Sequence, residues 1–216
     1  MEITYLGHSS FRIKTKTSVV VCDPYDSKKV GLKFPKYDAE IVTVSHEHDD
    51  HNYVSGVHGV RKVISGAGEY EISDVSIIGL PSYHDDKEGI ERGKNVIYVI
   101  EAEGIRLCHL GDLGHTLSDK IVEDIGEINI LFIPVGGVYT IGPEEAVKVV
   151  ADIEPNIVIP MHFKVPGLTL SKANEMKAVD EFLNDSGMTS EKLPKLIVKE
   201  SDFGEEQKVI ILDKRD

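Results

Sequence analysis

The sequence predicts a layered α/β fold, two packed sheets with helices outside, and three observations carry that prediction. Short β-branched segments fill the first third of the chain, more strands follow a glycine-punctuated stretch, and from Asp119 onward helix and strand patterns alternate. Residues 2–6, 11–14 and 18–22 read as an antiparallel meander, divided by Gly7-His8-Ser9 and Thr15-Lys16-Thr17. Val19-Val20-Val21-Cys22 lacks polar alternation and is expected to be buried on both faces; it ends at Asp23-Pro24, where proline stops the ladder. Residues 26–37 read as a polar loop, and residues 40–45 as a buried strand running straight into His46. Residues 75–80, 95–101, 105–110 and 129–135 are further strands. Gly142-Pro143-Glu144-Glu145 opens a helix, with proline at its first position, acids in the positive-dipole turn, and Val147, Val150 and Ile153 facing inward. Residues 157–160 form the next strand. Ser171 is expected to cap a second helix whose Ala173, Met176, Val179 and Leu183 face the core and which Gly187 stops. Residues 196–199 and 209–212 close the sheets.

The 216 residues fit one globular domain, 1–216, with no repeat, low-complexity tract or Pro/Ser-rich linker to divide it. Twenty-four Lys and Arg against 37 Asp and Glu give a net charge of −13, which disfavours nucleic acid and anionic membrane surfaces as partners. No apolar run approaches the roughly 18 residues of a membrane span, and residues 1–6 read as a strand rather than a targeting segment. Cys22 and Cys108 are too few for a disulfide framework. They read as small buried hydrophobes of a reduced, cytoplasmic protein. The oligomeric state is left open, a homo-oligomer included.

Nine histidines in a chain without tryptophan are the unusual feature. The segment Ser45-His46-Glu47-His48-Asp49-Asp50-His51 contains His-x-His-x-Asp-His. A strand ending at Ser45 delivers residues 46, 48 and 50 to one side, because extended side chains alternate with period two. Two imidazoles so spaced can converge on one cation. His51, on the other flank, can turn toward a second, with Asp50 as its carboxylate companion. The helical protease pattern His-Glu-x-x-His fails, since it needs histidine at position 50, where Asp stands. One loop cannot complete two sites. His84, Asp112 and His162 each follow an apolar strand and supply the missing donors. Histidine with carboxylate suits zinc first, and manganese or iron as alternatives.

These residues resemble the metallo-β-lactamase superfamily, and within it the compact hydrolases similar to the ascorbate-6-phosphate lactonases. The landmarks are Gly7-His8-Ser9-Ser10, Cys22-Asp23-Pro24, the loop of residues 43–51, Gly111-Asp112, Pro134-Val135-Gly136-Gly137 and Pro160-Met161-His162-Phe163. The resemblance implies a four-layer αββα sandwich with two metal ions at one edge. It implies that His46, His48 and His84 hold one ion, that Asp50, His51 and His162 hold the other, and that Asp112 bridges them. Relatives that transfer electrons through two irons carry Glu in place of the second loop histidine; the intact His48 favours hydrolysis.

The expected chemistry is attack by a metal-activated water on a small, anionic ester or lactone, with Asp50 orienting the water and accepting its proton. Asp23 is a candidate to fix the tautomer of a ligating histidine, and His8 to approach the site from its turn. Lys164 is a candidate to hold an anionic group, and Tyr139 and Thr140 to line the pocket. His109 reads as packing, and His58 as surface. Two other functions compete: a phosphodiesterase acting on a small phosphodiester or RNA, and a metal-binding module without turnover.

Overall fold

The computed structural model describes residues 1–204 and 206–215. Strands β1 (Glu2–Gly7), β2 (Ser10–Lys14) and β3 (Val19–Cys22) form the expected meander, followed by helix α1 (Ser27–Val30), β4 (Ile41–Thr43) and β5 (Lys62–Ile64). Then come β6 (Gly68–Ile72), β7 (Val75–Tyr83), β8 (Lys94–Ala102), β9 (Ile105–His109), helix α2 (Asp119–Ile125) and β10 (Ile130–Pro134). The chain continues through α3 (Pro143–Ile153), β11 (Ile157–Met161), α4 (Val179–Ser186), β12 (Ser190–Leu193), β13 (Leu196–Ile197) and β14 (Lys208–Leu212). One sheet has the order β13-β1-β2-β3-β4-β5 and the other β12-β14-β11-β10-β9-β8-β7-β6.

Alternation along the strands decides which side chains meet. Ile3, Tyr5, Phe11, Ile13, Val20 and Ile41 face the second sheet, where Tyr98, Ile100, Ile130, Phe132, Ile157 and Ile159 receive them. The rings of Phe11 and Phe132 stand 4.3 Å apart across that layer. The intervening residues Ile97, Val99, Leu131, Ile133 and Val158 face the helices, against Ala146, Val149, Val150, Ile153 and Phe182. The far face of the smaller sheet is covered more thinly: Leu6, Val21, Val42 and Val44 pack under loops, and Tyr25, Val30 and Leu32 gather around the single turn of α1. The αββα order holds, with one outer layer made mostly of loop. Each large side chain so buried contributes about 1.5–3 kcal/mol. Among the described residues, no helix is long and apolar enough to cross a membrane.

Several local expectations need correction. Within 26–37, Asp26 accepts a bond from the Lys28 backbone N–H and starts a helical turn that Gly31 ends. In α3 the fully inward positions are Ala146, Val149, Val150 and Ile153, whereas Val147 is half-buried. Ser171 caps no helix, because its hydroxyl pairs with that of Tyr139 at 3.0 Å. Residues 171–176 form turns instead, and α4 begins only after Ala178, although Ala173 and Met176 are buried and Gly187 does end the helix. Strands β5, β6 and β12 were not expected; they are short or edge strands whose exposed residues blur the apolar pattern.

Strand direction then sets the site. The antiparallel meander leaves β1 and β3 parallel, and β4 follows β3 in parallel. In the larger sheet β7, β9, β10 and β11 also share a direction. The C-terminal ends of both sets meet at one rim, stitched by Val96 N–H to the Ser45 carbonyl (2.9 Å) and His162 N–H to the His8 carbonyl (3.0 Å).

Candidate metal centre

Each donor side chain sits just past one of these strand ends. His8 follows β1, Asp23 follows β3, the loop from His46 to His51 follows β4, and His84, Asp112 and His162 follow β7, β9 and β11. Three of them turn the chain through left-handed backbone, His8 at φ 56°, Asp23 at 43° and His162 at 51°. That conformation is costly for residues with a Cβ, and it persists where packing over-determines it. Two positions require glycine: a Cβ at Gly136 would strike the His162 carbonyl, and one at Gly114 the backbone of His84 and Asp85.

The donor atoms fall into tight groups, His46 with His48 and His84, and His8 with Asp50, His51 and His162, the atoms of each lying within 4.8 Å of one another; Asp23 forms a third with His46 and His51, whose Nδ1 side it holds. Asp112 stands between the first two groups. Its Oδ2 lies 3.8 Å from Nε2 of His46, 3.3 Å from that of His51, 3.2 Å from that of His84 and 3.3 Å from that of His162. The Asp112 backbone N–H donates to Asn95 Oδ1 at 3.0 Å, and the Asn95 amide nitrogen donates to the Leu110 carbonyl and to Ser82 Oγ. Asn95 is thus a fully buried support that sequence reading missed.

Asp23 organises the other side. Its carboxylate accepts from Ser45 N–H (2.8 Å), from Ser45 Oγ (2.5 Å) and from His51 Nδ1–H (2.9 Å). Ser45 Oγ in turn lies 2.9 Å from His46 Nδ1 and accepts its proton. In their neutral form both imidazoles are thereby set with hydrogen on Nδ1 and a lone pair on Nε2. Those two buried Nε2 atoms, and Oδ1 of Asp112, have no hydrogen-bond partner among the described residues. Buried polar atoms are normally paired. A set of orphaned imidazole and carboxylate atoms aimed at common points has the chemistry of a cation site.

Electrostatics agree. Burial pushes the His46 imidazole down to about 3, aided by His51. It pushes His8 down to about 4, with His162 adding to it. Neutral imidazoles are what a metal requires. Burial would raise Asp112, yet His162 and His51 hold it well below the carboxylate range. Asp50 is likewise held ionised against its burial by His51 and by the hydrogen bond from His8. Burial would lower His51, but the Asp112 and Asp50 charges raise it far above an ordinary histidine. The carboxylates therefore favour positive charge at the centre of the cluster.

The β-lactamase superfamily domain family matches residues 2–162. The chain belongs to the metallo-β-lactamase superfamily. A solved structure from Thermotoga maritima, assigned as a Zn-dependent hydrolase of this superfamily, is 36% identical, covers 99% of each chain and has a TM-score of 0.80. A UPF0173 metal-dependent hydrolase of Methanopyrus kandleri is 28% identical over 76% of this chain and 84% of its own length. A metallo hydrolase from Ignicoccus hospitalis, 20% identical with a TM-score of 0.62 over 86% of this chain and 90% of that one, shares the fold alone. This chain is a metal-dependent hydrolase.

Around this superfamily site the remaining candidates separate. His8 lies closer than its turn suggested: its Nε2 is 3.2 Å from Asp50 Oδ2 and its ring centroid 4.2 Å from that of His162. The ring of Tyr139 lies 6.1 Å from that of His162, edge to face, but its hydroxyl is engaged by Ser171 and by the Lys172 N–H. Thr140 bonds the Ile141 carbonyl. Lys164 is a correction. After the turn at His162 the chain leads outward, and the exposed Lys164 ammonium donates to the Asn174 carbonyl at 2.8 Å, away from the cavity beside His46 and His48. His109 is buried; its Nε2–H donates to the Ser9 carbonyl at 2.8 Å and its Nδ1 accepts from Gly111 N–H. His58 is exposed.

Proposed function

We propose that this hydrolase cleaves a small, negatively charged ester or lactone, with His46, His48 and His84 holding one divalent ion, Asp50, His51 and His162 holding a second, and Asp112 between them. The observation that carries the reading is the single Asp112 Oδ2 atom, 3.2–3.8 Å from Nε2 of four histidines drawn from both groups. Imidazole and carboxylate donors favour zinc, with manganese or iron as alternatives. When bound, such ions supply an activated water and polarise the acceptor oxygen.

The chain's own residues do the rest. Asp23 orients His51 directly and His46 through Ser45, so both direct Nε2 inward and offer its lone pair when neutral. Asp50 is partly exposed and ionised, which suits it to orient the attacking water and take its proton. No serine or cysteine nucleophile is required. Cys22 and Cys108 are free and buried, and burial pushes the Cys22 thiol up to about 12. Free cysteines also support a cytoplasmic location. A cavity of about 680 Å³ beside His46 and His48 suits a small molecule, and a net charge of −13 argues against RNA.

Elemental analysis combined with an assay panel tests the reading. The expected result is two equivalents of transition metal per chain and, after loading with Zn²⁺ or Mn²⁺, hydrolysis of lactones or carboxylic esters in preference to chromogenic phosphodiesters. Preference for the phosphodiesters would replace the substrate class. Metal uptake with no hydrolysis at all would reduce the protein to a binding module.

A further inference from the structure

Residues 85–93, which follow His84, build a loop beside the cavity that the metal chemistry does not use. The buried Asp85 carboxylate accepts backbone N–H bonds from Lys87 (2.9 Å), Gly89 (2.9 Å), Glu91 (3.0 Å) and Arg92 (2.7 Å), and the Gly93 carbonyl accepts from His84 N–H (3.0 Å). The loop is therefore preformed, although Ile90 at its tip is 84% exposed. It delivers Arg92 to the wall of the 680 Å³ cavity that His46 and His48 also line.

Arg92 is half-buried and held on two further sides. One Nη2–H donates to the Val138 carbonyl at 2.8 Å, and the guanidinium carbon lies 6.0 Å from the Tyr139 ring centroid. Val138 is β-branched and sits at φ 67°, a strained backbone that this bond helps hold. Arg12 and Arg106 pair with Glu2 and Glu101, whereas among the described residues no carboxylate lies within 4.0 Å of the Arg92 guanidinium. Four of its five N–H donors remain for a ligand. The same wall carries exposed Lys94, which adds positive charge, and exposed Glu47, which opposes it. In a chain of net charge −13, a half-buried cation held by a backbone carbonyl and without a counter-charge is open to an anionic ligand.

We propose that Arg92 is the specificity-determining residue that receives an oxyanion of the substrate, carboxylate or phosphate, while the scissile ester lies toward the histidines. The planar guanidinium fork matches two oxygens of either group, which a lysine does not. This inference rests on the hydrolase reading given above and adds to it the position of the anionic group.

The test uses the zinc-loaded full chain as wild type, Arg92→Ala and Arg92→Lys. Substrates are paired: a nitrophenyl acetate against the nitrophenyl monoester of glutarate, and a lactone with and without a phosphomonoester. The expected result is that the anionic-to-neutral ratio of kcat/KM falls about 10–100-fold in Arg92→Ala, mainly through KM, and recovers only in part in Arg92→Lys. Whichever pair responds more identifies the oxyanion. A ratio that stays constant while both substrates slow together would make Arg92 a clamp for Val138 and overturn the proposal. Titration calorimetry of glutarate and inorganic phosphate into metal-free protein reads the subsite even if no substrate in the panel is cleaved. Binding lost in Arg92→Ala supports the assignment; equal binding in both proteins, or none in the wild type, overturns it.

Discussion

The buried Asp23 carboxylate accepts the Nδ1 proton of His51 at 2.9 Å, and it does so while also binding the hydroxyl and backbone N–H of Ser45. One carboxylate thus commands three donors and, through them, the orientation of two imidazoles. Asp23→Asn keeps the shape but leaves at least one of those donors facing an amide N–H. Metal affinity is expected to fall about 10–100-fold, as for other residues that orient metal ligands. Competition with a chelating dye measures it. An unchanged affinity would reduce Asp23 to a turn residue before Pro24.

Asp112 and His48 differ in burial, so their removal should differ in effect. His48 is exposed, and His48→Ala is expected to cut turnover on the order of 10³-fold while leaving the melting temperature of the metal-free protein unchanged. Asp112→Ala should abolish turnover and also erase the stabilisation by metal. With zinc at 100 times its Kd, that stabilisation is about 2.7 kcal/mol. For a chain of this size it corresponds to roughly 5–11 °C. Scanning calorimetry with and without chelator reads both quantities. Wild-type rates in either variant would remove these residues from the site.

Gly136 packs directly beneath the His162 carbonyl, where an added methyl group has no room. Gly136→Ala is expected to cost about 1–3 kcal/mol by overpacking. Because the displaced atom belongs to a proposed ligand residue, metal affinity should fall along with stability. Gly187→Ala is the comparison: it occupies open space at φ 61°, so its strain should lower stability without touching metal binding.

Far from the site, Glu2 pairs with Lys195 at 2.5 Å and with Arg12 at 3.6 Å, joining β1 to the turn before β13. The hydrogen bond from Lys195 holds the Glu2 carboxyl below its ordinary value of 4.5. A carboxyl depressed in the folded state stabilises at pH above its unfolded value and loses that contribution as pH falls through the folded one. Glu2→Gln should therefore lower the stability of the metal-free protein by up to about 1 kcal/mol at pH 7, with the difference closing below pH 4.5. Denaturant titrations at pH 7 and pH 3 measure it, and an equal gap at both would refute the linkage.

Much of the fold was legible because its signals are local. The run Val19–Cys22, the apolar strand around Phe132 and the acid-rich start of α3 each state their structure within a few residues. The edge strands β6 and β12 escaped because half or more of their side chains face water, which removes the apolar pattern. Ser171 misled for a different reason. It looks like a helix cap, but the hydroxyl of Tyr139, 32 positions earlier in the chain, takes its side chain.

The candidate site divides in the same way. The spacing of His46, His48, Asp50 and His51 is a property of one loop and is visible in the sequence, but the extended alternation expected of it is not what forms: β4 stops at Thr43, residues 45–51 run through bends and turns, and Asp50 joins His51 rather than His46 and His48. His84, Asp112 and His162 could be named because each follows an apolar strand. Their meeting, the entry of His8 beside Asp50, the support of Asp112 by Asn95, and the delivery of Arg92 by the Asp85 loop depend on contacts between residues far apart in the chain. Sequence determined which side chains stand at strand ends. Only the packing of the two sheets, which aligns those ends along one rim, decided which of them meet.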